Sequence, residues 1–165
     1  MNCAISDSHE PITFYVSNEH SEKSSIVPQV SGDNCSAHTV EAKTLDDVIV
    51  ENKIDQINLL KVDIEGAELP MLRSLSSQTL DKIDQITIEF HDFTGAMTRQ
   101  DVNQTVKRLE SAGFRSIKFS VSNKDWLFYR PDRCEIGLPQ HLVTKFILRN
   151  IYAVTRKLGW SHREQ

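Results

Sequence analysis

Apolar positions along this chain repeat at two spacings, near two and near three and a half residues, with polar or Gly- and Pro-marked gaps between them. The β-branched and aromatic residues of Ala4-Ile5 and Ile12–Val16, split by Ser-Asp-Ser-His-Glu-Pro, predict two short strands and a turn. Residues 17–37 are rich in Ser, Asn, Glu and Gly and read as a surface loop. Thr44 with Asp47 fits a capping box, and Leu45, Val48 and Ile49 follow at helical spacing, which predicts a helix from Leu45 to Glu51.

The run Ile57–Val62, ending at Asp63, is apolar enough to predict a buried strand, and Gly66 marks the turn that follows it. Ala67, Met71, Leu72 and Leu75 then recur at helical spacing, with Pro70 acceptable only in the first turn because it has no N–H to donate. Gln85–His91 alternates strictly, Ile86, Ile88 and Phe90 on one face and Thr87, Glu89 and His91 on the other. Thr98 can cap a helix carrying Val102, Val106 and Leu109, with Gly113 at its left-handed end.

Strands over Phe114–Ser120 and Trp126–Tyr129 follow, turning at Ser122-Asn123-Lys124, and an amphipathic helix is expected from Gln140 to Leu158. This order predicts an α/β fold with a largely parallel sheet ending in a β-hairpin.

Composition narrows the function classes. With 165 residues, 39% hydrophobic and 25% charged, the chain can bury one real core, so a single domain over 1–165 is expected. A net charge of -4 lacks the clustered positive charge of a nucleic-acid binder. The first ten residues carry no leader pattern and no stretch is long enough to span a membrane, so a cytoplasmic location is expected. Cys3, Cys35 and Cys134 are too far apart, and wrong in number, for a disulfide framework or a zinc site.

Candidate chemistry gathers around Asp63. A carboxylate ending a buried strand, followed by Glu65 and Glu68, sits where open α/β sheets bind ligands. Asp63 would equally serve as a helix N-cap, and Glu65 and Glu68 would suit the positive end of a helix dipole. Glu89 and His91, on one face of the next strand, could reach the same crevice, where a histidine beside carboxylates suits a general base. Asp63, Glu89 and His91 are also suitable metal ligands by type, but nothing in their spacing requires a metal. Lys61 is expected to snorkel or to pair with an acid, and Trp126, Phe128 and Tyr129 to pack in the core or at an edge.

Thr44-Leu45-Asp46-Asp47, then Leu60 through Glu68 with its KVDIEGAE, then Ile88-Glu89-Phe90-His91 resemble the FkbM methyltransferase family in order and spacing. Ala4-Ile5-Ser6-Asp7 and Ile12–Val16 extend the resemblance, which covers 4–91 and leaves 92–165 as C-terminal helices and hairpin. It implies a Rossmann-like class I methyltransferase fold, with S-adenosylmethionine across the C-terminal strand ends, and methylation of an oxygen on a sugar, polyketide or similar small-molecule acceptor.

The family's glycine-rich loop and ribose-holding acid are expected before Ala4, and no G-x-G-x-x-G pattern occurs here, so the chain reads as an incomplete, C-terminal part of that domain. Weak cofactor binding by the chain alone and self-association through exposed sheet edges are the corresponding expectations. A non-catalytic remnant or partner-binding domain is the alternative. The resemblance implies catalytic roles for Asp63, Glu89 and His91, cofactor contacts from Ile5, Ser6, Asp63, Glu65 and Glu68, and no metal.

Overall fold

The computed structural model describes residues 3–17, 34–64, 66–91, 98–119 and 124–144. In chain order its elements are β1 (Ala4–Ile5), β2 (Ile12–Ser17), β3 (Cys35–Val40), β4 (Ala42–Lys43), α1 (Leu45–Glu51), β5 (Leu60–Val62) and α2 (Glu68–Ser74). There follow α3 (Ser77–Asp81), β6 (Gln85–Glu89), α4 (Arg99–Ser111), β7 (Arg115–Lys118), β8 (Asp125–Tyr129) and α5 (Leu138–Val143).

The strands form three sheets. β1 pairs with β4 in parallel, β2 with β3 antiparallel, and the largest sheet runs β5-β6-β8-β7. Within that sheet β5 and β6 are parallel, while β6–β8 and β8–β7 are antiparallel. The sheet is therefore mixed, where the alternation of elements predicted a largely parallel one. The reason is the short return between β7 and β8, which allows only antiparallel pairing and slots β8 beside β6 with reversed direction. The expected hairpin is present.

Local sequence explains the helices. Thr44 and Asp47 form the predicted capping box, each side chain receiving the other's backbone N–H, so α1 starts and ends where its pattern said. Thr98 and Asp101 repeat the device at α4, and Val102, Val106 and Leu109 face the core. Asp101 also receives Arg73 Nη2 of α2 at 2.7 Å; the Thr98 hydrogen bond first, and Arg73 next, push its carboxyl down to about 2. Pro70 occupies the third position of α2, inside the first turn, where its missing N–H costs nothing.

The core lies between the β5-β6-β8 face and helices α2 and α4. Val62, Ile86, Ile88 and Phe128 from the strands meet Leu69, Leu72, Val102, Val106 and Leu109 from the helices, with Phe90 and Phe114 completing it. Phe128 and Tyr129 are fully buried and Trp126 stacks on Phe128 at 5.8 Å, so these aromatics pack the core as expected.

Two arginines bond carbonyls at helix ends. Arg108 donates to the carbonyls of Leu72 and Leu75, and buried Arg130 donates to those of Leu80 and Ile83 and to Asp81 while lying 4.6 Å over the Phe114 ring.

Several expectations shift. β5 is not fully buried: Lys61 faces out and Leu59 beside it is exposed, because among the described residues β5 pairs with β6 alone. Cys35–Ala37, expected in a loop, begin β3. The helix expected over Gln140–Leu158 is described only as α5, and the turn Ser122-Asn123 lies outside the described residues, as does most of the expected 17–37 loop. Among the described residues no helix is long and apolar enough to cross a membrane, and the three cysteines are free thiols.

Gly113 tests the account of α4. Its φ of +95° is left-handed, and a Cβ there would lie 3.0 Å from Arg130 Nη1, on a guanidinium held in place by the hydrogen bonds of its Nε and Nη2. Gly113→Ala should therefore lower unfolding free energy by about 1–2 kcal/mol, seen as a lower denaturant midpoint at unchanged slope.

Candidate active site

Parallel pairing of β5 with β6 brings their C-terminal ends to one rim of the sheet. Val62 is opposite Ile88, so Asp63, the next residue, emerges level with Glu89, and His91 follows two positions further on. The alternation of buried and half-buried positions along β6 ends at Glu89, since Phe90 and His91 are both buried. The chain leaves the ladder there, and the imidazole turns inward instead.

Among the described residues, two carboxylates lie beside His91 inside the rim. Nδ1 lies 2.7 Å from Glu68 Oε1 and Nε2 lies 3.9 Å from Asp63 Oδ1. Asp63 is partly open to solvent, its side chain 31% exposed, and receives Lys61 Nζ at 2.9 Å. The Lys61 ammonium is raised above its ordinary value by that hydrogen bond first and by the nearby Asp63 and Glu89 charges. Lys61 thus pairs with Asp63 on the outer side of the rim, as its expected pairing with an acid required.

Glu68 is the unexpected member. Predicted to touch a ligand, it is 0% exposed and is consumed by the protein itself. Its Oε1 accepts the N–H of Ile64 at 3.3 Å and of Gly66 at 3.1 Å, its Oε2 accepts the Gly66 N–H at 3.2 Å, and His91 closes the set. Burial alone would push this carboxyl up; the His91 and Gly66 hydrogen bonds outweigh it and hold Glu68 below the usual range.

The local fold makes this possible. Gly66 takes a φ of +106°, a left-handed conformation natural to glycine, and the chain turns so that Ala67 N–H reaches the Ile64 carbonyl. That curl points the Ile64 and Gly66 N–H groups at the first residue of α2. It also makes Ala67 the helix cap, without a side-chain bond, so the N-cap alternative for Asp63 does not hold. Sequence reasoning missed the enclosed role of Glu68; the available signal was an acid two residues after a turn glycine, placed to accept that glycine's N–H.

The other expected site residues are placed as follows. Ile5 packs against the main core, and Ser6, just past β1, donates its N–H to the Lys43 carbonyl and its hydroxyl to Asp7. Glu89 is half-buried opposite Asp125 of β8. Glu65 lies outside the described residues. Among the described residues no group of three or more acids, histidines or cysteines is arranged to hold a metal.

A profile of the methyltransferase FkbM domain matches residues 1–116, a span that contains this whole rim. The chain belongs to the FkbM methyltransferase family. That family implies a class I methyltransferase fold and generally uses S-adenosylmethionine. The chain is also similar to Methyltransferase 1 of Beauveria bassiana, 38% identical over 88 residues that cover 53% of this chain and 32% of that protein. It is 35% identical to the AMB antimetabolite synthetase AmbE of Pseudomonas aeruginosa over 78 residues, 47% of this chain and 4% of that protein. The chain thus spans a third or less of the length of these relatives. No solved structure gives a match.

The FkbM rim makes an acid-dependent contribution to stability. Because the folded Glu68 lies below its ordinary value of 4.5, its contribution is present above that pH and is lost as pH falls through the depressed folded value. Glu68→Gln should cost about 1–3 kcal/mol near neutrality by spoiling the fit to the buried donors. That deficit should shrink as denaturant melts are taken from about pH 6 down to about pH 3.

Proposed function

We propose that this FkbM domain methylates an oxygen of a small hydroxylated metabolite, such as a sugar or polyketide, using S-adenosylmethionine. The observation that carries the proposal is the His91 imidazole set between Asp63 and Glu68 at the C-terminal rim of the parallel pair. Ligands of open α/β sheets bind at such rims.

The residues fit a cofactor with a cationic methionine end. Asp63, a partly exposed carboxylate at the end of β5, suits its ammonium, and we assign Ile5 and Ser6, at the end of β1, to the same ligand. When bound, S-adenosylmethionine supplies an electrophilic methyl group on a sulfonium sulfur. His91 would take the proton of the acceptor hydroxyl as that oxygen is methylated. The protonated ring then lies between two carboxylates, which favours the charge that the step creates. Asp63 orients the hydroxyl toward the imidazole, while Glu89, level with Asp63 on β6, adds negative charge to the same rim.

Asp63→Asn is the direct test in the intact protein. Asn keeps the size of Asp, and no helix cap is lost, so the melting temperature should stay within a few degrees. Transfer of labelled methyl to hydroxylated acceptors should fall on the order of 10²–10⁴-fold. Near-normal turnover would remove Asp63 from the chemistry.

A further inference from the structure

We propose that Glu68 is a positioning residue that fixes which nitrogen of His91 carries the proton and where the other nitrogen points. The proposal rests on the assignment of His91 as proton acceptor. An ionised carboxylate can only accept hydrogen bonds, and this one has no solvent to share them with. Two of its partners, the Ile64 and Gly66 N–H groups, are donors by nature. The third contact, 2.7 Å to His91 Nδ1, therefore requires a hydrogen on Nδ1. In the neutral ring the lone pair is then at Nε2, the nitrogen that faces Asp63 at 3.9 Å.

The same carboxylate does a second thing. Its backbone donors belong to the turn that follows Asp63, while His91 follows β6, so one side chain clamps the two strand ends to each other. The Asp63–His91 separation is set through Glu68 rather than by direct contact. An acid present only to neutralise His91 would need no bonds to that turn. The depressed carboxyl of Glu68 agrees with its staying ionised at working pH.

Nitrogen NMR of the histidine rings in the labelled intact protein, taken at about pH 8 where imidazoles are neutral, reads the tautomer directly. His91 should carry its hydrogen on Nδ1; a hydrogen on Nε2 would overturn the proposal. In Glu68→Gln the amide oxygen is drawn by the Ile64 and Gly66 donors to the place of Oε1, where it still accepts from Nδ1–H, so the tautomer should be kept; Glu68→Ala removes that acceptor, and the ring should move toward the Nε2–H form. The turnover number should fall on the order of 10²–10⁴-fold, with cofactor KM little changed.

An unchanged tautomer in a folded Glu68→Ala protein would also overturn the clamp. If that variant does not fold, the spectrum of the unaltered protein still decides. A tautomer shift in Glu68→Ala alongside full turnover by His91→Asn would leave the clamp standing and sink the base assignment instead.

Discussion

A carboxylate taken wholly out of water must be matched by donors on every side, and at the turn between β5 and α2 this requirement organises the surroundings of Glu68. Its donors are two backbone N–H groups and an imidazole. To supply them the chain curls through a left-handed Gly66, α2 begins without a side-chain cap, and His91 turns inward where β6 ends. Removing the carboxylate would leave buried donors unmet, so the site and the local fold stand or fall together.

The larger architecture supplies the rim on which this happens. Parallel pairing of β5 with β6 is what brings Asp63 and His91 to one end of the sheet, and the register decides that Asp63 is level with Glu89. Helices α2 and α4 hold that pair from one face through Leu69, Leu72, Val102 and Leu109, and Arg73 ties α2 to the capping box of α4. The β7–β8 hairpin closes the other side of β6 and leaves its C-terminal end to the site.

Much of this was legible in the chain because it depends on neighbours close in sequence. The capping boxes at Thr44 and Thr98, the left-handed Gly113, and the buried face of Ile86, Ile88 and Phe90 each follow from residues within a turn or a strand. So did the family, through KVDIEGAE. What depends on distant partners was not legible. Lys61 sits in an apolar run, yet exposure is decided by what lies beside β5, which the run does not encode. β3 was read partly as loop because CSAHTV is polar and is held by backbone pairing to β2. Glu68 reads from sequence as a ligand contact or a helix-dipole partner, because its burial is completed by His91, 23 residues away.

The central claim is that His91 accepts the acceptor's proton from within a frame of two carboxylates, and the pH dependence of turnover in the intact protein tests it most directly. The rate at saturating substrates should rise with pH along a limb governed by one ionisation, as the imidazole loses its proton and becomes available as a base. That limb should vanish in His91→Asn, leaving a low rate that no longer tracks the same ionisation. The same limb, with comparable turnover, in the His91→Asn protein would contradict the account.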